Sequence, residues 1–196
     1  MICRKCDEES ALIAADYLRR GKIAVLPTDT VYGFSGIVDG RHYSFRTAER
    51  ICGIKRRSEK KGLIRLIASP DDLRKYTRDN VPDRLLERWP GALTIIVRPS
   101  DDGMGTETAA FRCPGDEWLR KVIALCGAPI YSTSVNRSGL PVLDNIRQIK
   151  SEFGKEVDLI VDDGDKKGGL PSTIVSVDEG GGVRIIRQGA LSVVST

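Results

Sequence analysis

Two rhythms of apolar residues alternate along the chain. In "ESALIAADYLRR", residues 9–20, Leu12, Ala15 and Leu18 recur three apart, the period of a helix face, and Gly21 stands where such a helix stops. "KIAVL" follows as a short apolar run ending at Pro27, the pattern of a buried strand. Phe45, Ala48, Ile51 and Cys52 then share one face of a helix over 44–54, and "GLIRLIA" reads as the next strand. Short helices are expected over 70–76 and 81–88, and "ALTIIVR" is a strand by its β-branched run. Beyond a glycine-rich link at 103–106, "TAAFRC" is a weaker strand and "EWLRKVIALCG" a helix capped by Gly127. "APIYSTS" is another strand, and the carboxylate of Asp144 is placed to cap a helix over 145–153. "VDLIVDD", "STIVSV" and "VRIIRQG" complete the set of strands, the last two joined by "DEGGG" as a hairpin loop.

Strands and helices alternate with no linker, repeat or low-complexity tract between them, which predicts one α/β domain over 1–196 with a large mixed sheet. A chain of 196 residues, 40% apolar and 30% charged, is long enough for a substantial core. "MICRKCDEE" lacks the apolar stretch of a signal peptide, and no run approaches about 18 apolar residues, so the expectation is a cytoplasmic protein with no membrane association. The five cysteines, Cys3, Cys6, Cys52, Cys113 and Cys126, are an odd set that fits a reducing compartment. Cys3-x-x-Cys6 is half of a structural zinc site, but no second close pair follows. His42, the one histidine, lies in the loop-like "DGRHY" and reads as a surface residue.

Charge changes the picture by its placement. The formal net charge is only +4, yet "KRRSEKK" sets five basic residues into positions 55–61, as either a solvated loop or a phosphate-binding lip. Four polar loops accompany the strands and helices: "PTDTVYG", "KRR", "STSVNRSG" and "PSTIV". Hydroxyls, an asparagine, glycine-flanked amides and fixed positive charges are the donors that a polyphosphate with a divalent ion would use. Ser, Asn and Gly also dominate ordinary turns, so "STSVNRSG" alone decides nothing. There is no G-x-x-x-x-G-K-[ST] loop, no G-x-G-x-x-G after a strand, and no G-x-S-x-G elbow. With no imidazole placed for proton transfer, chemistry here rests on positioning and charge neutralisation, which suits transfer of an adenylyl group.

"PTDTVYG", Lys55 and Arg57 of "KRR", "WPGALT" at 89–94, "FRCP" at 111–114, "STSVNRSG" at 132–139, "PST" at 171–173 and "RQG" at 187–189 occur in an order that resembles the YrdC-like threonylcarbamoyl-adenylate synthases. The likeness runs from about residue 10 to residue 190. It implies a twisted, open α/β sheet of the YrdC type, flanked by helices, with a basic concave active-site surface. It also implies formation of L-threonylcarbamoyl-adenylate and pyrophosphate from L-threonine, bicarbonate and ATP, for the threonylcarbamoyladenosine modification of tRNA. Because the chain ends soon after "RQG", it is similar to the short, single-domain type. Thr30, Tyr32, Gly33 and Asn136 separate it from a paralogous branch that departs from those motifs. Three positions differ from the family pattern: Arg56 fills a gap usually held by a small residue, Ser58 replaces a proline, and Val135 replaces an alanine.

The resemblance assigns ATP to Lys55, Arg57, Ser134, Asn136, Ser172 and Arg187, with Lys55, Arg57 and Asn136 nearest the chemistry. Asn136 would add an amide oxygen to an Mg2+ ion held largely by phosphate and water oxygens. It assigns threonine to Thr28, Thr30, Tyr32 and Arg112, the last with a guanidinium suited to a carboxylate. Asp29 is expected to hold the first loop by hydrogen bonds, and Cys113 is a variable position with no nucleophilic role. No carboxylate in these motifs stands out as a general base. The expected partners are tRNA-modification proteins. The alternatives are a module that binds tRNA or double-stranded RNA through Arg56, Arg57, Lys60 and Lys61, and a divergent YrdC-like paralogue with related carbamoyl-transfer chemistry.

Overall fold

The short apolar runs pair into one ten-stranded mixed sheet, and the amphipathic segments cover its faces. The computed structural model describes residues 1–40, 43–57, 62–100 and 107–193. Its strands are β1 (Ile2–Arg4), β2 (Ala24–Leu26), β3 (Gly33–Ile37), β4 (Ile64–Leu66), β5 (Leu93–Val97), β6 (Ala109–Arg112), β7 (Ile130–Ser134), β8 (Leu159–Asp162), β9 (Thr173–Val177) and β10 (Val183–Arg187). They lie side by side in the order β1-β8-β2-β3-β7-β4-β6-β5-β9-β10. β8 is parallel to β1 and β2, β4 to β6, and β5 to β9; the remaining neighbours are antiparallel. The helices are α1 (Ser10–Arg19), α2 (Thr47–Lys55), α3 (Asp83–Leu86), α4 (Glu117–Cys126) and α5 (Ile146–Phe153), with a 3-10 helix at Pro70–Lys75.

The period of two along each strand sorts side chains between two layers. Val25, Phe34, Tyr131 and Ile160 meet α2 and α5 on one face. Ala24, Leu26, Ile37, Ile130, Leu159 and Val161 meet α1 and α4 on the other. A third cluster, built on Leu93, Ile95, Phe111 and Val175, supports the far half of the sheet with Leu73, Leu85 and Trp89. α4 shows why its sequence is a helix: Leu119, Val122, Ile123 and Cys126 are buried at i, i+3, i+4 and i+7. Asp116 caps it by accepting from the Leu119 amide at 3.0 Å, and Gly127 ends it at φ +67°.

The structure corrects the sequence in three places. The cap of α5 is Asn145, not Asp144: Asn145 Oδ1 accepts from the Arg147 and Gln148 amides at 3.0 and 3.1 Å, whereas Asp144 offers its backbone carbonyl to Lys166. The sequence pattern assigned no strand to β3, whose first residue closes the polar "PTDTVYG" loop, yet all five of its residues are buried within the sheet. Its glycines give it a loop-like composition, and packing requires them. A Cβ at Gly33 would lie 2.6 Å from Ser132 Oγ, and one at Gly36 would lie 2.4 Å from Thr47 Cγ2. β1 is a further strand that the pattern did not show, three residues long and paired only with β8.

His42, residues 58–61 of the basic run and the 103–106 link lie outside the described residues. Cys3 is buried, Cys6 exposed, and all five cysteines are free thiols. Among the described residues no group of three or more His, Cys, Asp or Glu could hold a metal ion, and no helix is long and apolar enough to cross a membrane.

Candidate active site

The loop after β2 is organised by its own hydroxyls. Thr28 Oγ1 donates its single hydrogen to Val31 O at 2.7 Å and accepts from the amides of Thr30 and Val31 at 3.0 and 3.2 Å. Thr30 Oγ1 lies 2.9 Å from Thr28 Oγ1, within hydrogen-bond distance. Arg112 Nη1 in turn donates to Thr30 Oγ1 at 3.0 Å. The result is a connected network of guanidinium, two hydroxyls and the backbone of Val31.

Arg112 ends β6 and is almost wholly buried. Its Nη2 bonds Asp29 Oδ1 at 2.7 Å, and its Nε donates to Gly91 O at 2.9 Å. That last bond brings the "WPG" turn to the site. Asp29 Oδ2 accepts from the Gly115 amide at 2.9 Å, so Asp29 ties the first loop to both Arg112 and the segment after β6. Among described residues, three of the five Arg112 N–H hydrogens are thus used, leaving one on each Nη. Tyr32 is turned otherwise. Its hydroxyl donates to Gly164 O at 2.7 Å and accepts from the Asp163 amide at 2.8 Å, while burial pushes its pKa up to about 12. The Tyr32 hydroxyl therefore fastens the loop after β8, and the residue contributes to the cavity wall.

Lys55, the last residue of α2, is buried beside the end of β7. Its ammonium donates to Ser134 O, to Asn136 O at 3.0 Å and to Asn136 Oδ1 at 2.7 Å, and lies 5.5 Å from the centre of the Phe34 ring. Three acceptors need three hydrogens, so this geometry belongs to the charged form. Burial, and then the neighbouring charge of Arg57, lower its pKa to about 8. Ser134 Oγ also donates to Asn136 Oδ1, at 2.9 Å, and Asn136 Nδ2 donates to Leu140 O at 2.6 Å. Lys55 and Asn136 form the floor of the loop and do not line the open cavity.

Ser172 and Arg187 complete the far side. Arg187 Nη2 donates to Ser172 O at 2.8 Å, and Ser172 Oγ pairs with Thr94 Oγ1 at 2.8 Å. The "PST" and "RQG" segments can touch only because residue 189 is glycine: a Cβ there would lie 2.2 Å from Pro171 O. The cavity between these segments measures about 240 Å³. It is lined by eight of the ten residues singled out from the sequence: Thr28, Thr30, Tyr32, Arg57, Arg112, Ser134, Ser172 and Arg187. Three arginines line it, and among the described residues no carboxylate does. The Arg112 pKa is lowered by burial against the opposing pull of Asp29, and that of Arg187 by burial and then by the charge of Arg112. A bound anion relieves that crowding of like charge.

The sequence did not single out Ser132, Ile64, Val142 or Ile174, which also line the cavity. Ser132, Val142 and Ile174 had a nearby signal, the motif that contains or precedes them, and Ile64 had none. Cys113 is buried with its pKa pushed up to about 11, chiefly by burial, a setting that suits packing and not nucleophilic attack. For Mg2+, Asn136 Oδ1 already accepts from Lys55 and Ser134, so the chain alone makes no metal cage. A divalent ion here would be held mainly by oxygens of its nucleotide and of water.

Comparison with known proteins brings this geometry into a family. Residues 16–189 match the Sua5/YciO/YrdC family model, whose description is telomere recombination. The chain is 31% identical over 197 aligned residues to the threonylcarbamoyl-AMP synthase of Pyrococcus abyssi, covering 95% of this chain and 56% of that protein. It is 28% identical to the threonylcarbamoyl-AMP synthase of Pseudoalteromonas translucida, over 86% of this chain and 93% of that one. The crystal structure of P. abyssi Sua5 complexed with L-threonine superposes with a TM-score of 0.84 at 30% identity, covering 97% of this chain and 57% of that one. The chain thus spans little more than half the length of the archaeal relative and almost all of the bacterial one.

Proposed function

The chain belongs to the Sua5/YciO/YrdC family, and on that premise we propose that it is an L-threonylcarbamoyladenylate synthase acting on L-threonine, bicarbonate and ATP. The observation that carries this proposal is a single cavity lined by three arginines and no described carboxylate, with a hydrogen-bonded Thr28–Thr30–Arg112 network on its wall. Such a cavity suits two anionic substrates at once. The two unused hydrogens of Arg112 are offered to the threonine carboxylate, and the Thr30 hydroxyl beside it is placed to meet a substrate hydroxyl or amine. Arg57 and Arg187 neutralise phosphate oxygens, with Ser134 and Ser172 beside them and Lys55 and Asn136 fixing the floor.

The chemistry needs little beyond this positioning. The threonine amine and bicarbonate give a carbamate with loss of water. A carbamate oxygen then attacks the α-phosphorus of ATP, and the bond to the β-phosphate oxygen breaks to release pyrophosphate. Charge accumulates on phosphate oxygens, where fixed guanidinium groups act without reorganising. An Mg2+ ion bound with ATP would be held by oxygens of the nucleotide and of water, since Asn136 Oδ1 is taken up by Lys55 and Ser134, and it would shield charge on the phosphates. The product is an activated acyl group for tRNA, which makes tRNA-modification proteins the expected partners. Pyrophosphate release with threonine, serine or 2-aminobutyrate, each with ATP and bicarbonate, tests this. A hydroxyl-reading site favours threonine over 2-aminobutyrate by about 100-fold or more. Equal turnover of all three contradicts it.

A further inference from the structure

Arg137 stands inside the "STSVNRSG" loop but does not line the cavity. Its guanidinium is spent on α2 and α5. Nη1 donates to Ile54 O, Nε bonds Glu152 Oε1 at 2.8 Å, and Glu156 takes Nη1 at 3.0 Å and also Nη2. The same guanidinium lies 4.4 Å from the centre of the Phe153 ring. Phe153 meets Phe34 edge-on at 4.8 Å, and Phe34 carries Lys55 on its face.

The last four carbonyls of a helix lack partners within it, and at α2 each has an identified donor. Cys52 O takes the Arg57 amide and Gly53 O the Arg56 amide, both at 3.0 Å. Ile54 O takes Arg137, and Lys55 O takes the Ser138 amide at 2.8 Å. The outer half of this cap therefore comes from another segment some 80 residues away. It is needed because Arg56 turns the chain with φ 51°, the left-handed region in which glycine is at ease and an arginine is strained by about 1 kcal/mol or more. Immediately beyond that strained turn stands Arg57, and immediately before it Lys55.

We propose that Arg137, anchored by Glu152 and Glu156, is a positioning residue that holds the strained end of α2 and so keeps Lys55 beneath the Ser134–Asn136 loop and Arg57 at the phosphate-binding end of the cavity. The consequence for catalysis rests on the assignment of ATP to that end. The cap itself does not, and the experiment separates the two. Arg137→Gln and the milder Glu156→Gln are compared with wild type by amide hydrogen exchange and by steady-state kinetics. The Arg56, Arg57 and Ser138 amides exchange about tenfold faster in Arg137→Gln, with β3 and β7 unchanged. KM for ATP rises about tenfold while KM for threonine stays within about twofold, a split that general loosening would not give. Glu156→Gln moves the same quantities in the same direction by less, and it decides alone should Arg137→Gln fail to fold. Unaltered exchange at 56, 57 and 138, or equal rises in both KM values, overturns the proposal. A wild-type protein that does not bind ATP removes the nucleotide assignment, and the exchange data still decide whether Arg137 caps α2.

Discussion

The two ends of the cavity are built in different ways. At the end proposed for threonine, the hydroxyls of Thr28 and Thr30 meet within their own loop, and Arg112 and Asp29 lock it to the end of β6 and the "WPG" turn. At the end proposed for phosphate, Lys55 reaches across to Ser134 and Asn136, Arg187 leans on Ser172, and the turn between Lys55 and Arg57 is held from a distance by Arg137. Both ends rest on ties between segments some 80 residues apart. The first adds a hydroxyl network centred on Thr28, whereas the second depends on a left-handed turn at Arg56 whose flanking carbonyl is held by Arg137.

The largest expected effect is at the end held by Arg112. Arg112→Ala leaves Asp29 without its charged partner and Thr30 without its donor, so KM for threonine rises about 100-fold and folding stability falls by about 3 kcal/mol. Kinetics and urea unfolding measure the two. A change confined to ATP affinity would erase the distinction between the ends.

A smaller effect comes from pH, and it separates them by sign. Lys55 titrates at about 8 when folded against an ordinary 10.5, while Tyr32 is pushed up to about 12. ATP affinity therefore falls as pH rises through about 8, as the third hydrogen bond to the Ser134–Asn136 loop is lost. Stability moves the other way. The unfolded chain holds the Lys55 proton more tightly, so from about 8 to 10.5 wild type gains stability relative to Lys55→Met. Titration calorimetry and urea unfolding at pH 7.5 and 9.5, values chosen to straddle that lowered pKa, check both directions; a flat ATP affinity contradicts the role given to the ammonium.

The smallest effect is at Tyr32. Tyr32→Phe removes the bonds to Gly164 O and the Asp163 amide, costing about 1 kcal/mol, but keeps the ring. KM for threonine should stay within about twofold; a much larger rise would mean that the hydroxyl turns to the substrate.

The same contrast explains what could be read from the sequence. α4 was legible because its apolar spacing, Asp116 cap and Gly127 stop all agree locally. The strands β2, β5, β7 and β9 were legible because short β-branched runs rarely do anything else. β3 was not, since the reason for its glycines is the side chains of Ser132, on a strand distant in sequence, and of Thr47, on the helix that follows, which only the fold brings against them. Asp144 and Asn145 are both competent caps, and only the register of α5 chooses between them. Within the site, eight of the ten residues singled out from the motifs line one cavity. The motifs could not show that Lys55 and Asn136 bind each other, that Tyr32 faces Gly164, or that Arg137 supplies a helix cap. Each of those depends on which way a side chain turns once distant segments have met.

We propose that one cavity joins threonine, bicarbonate and the adenylyl group of ATP. Its most direct test is incubation of the purified protein with ATP, Mg2+, isotopically labelled bicarbonate and threonine, followed by mass detection of the adenylate and assay of pyrophosphate. The predicted result is threonylcarbamoyl-adenylate carrying the label in its carbamoyl group, with equimolar pyrophosphate, and neither when threonine or bicarbonate is left out. A folded protein that gives no adenylate in the complete mixture, yet retains double-stranded RNA in a salt-dependent manner, would contradict the account and establish a binding module in its place.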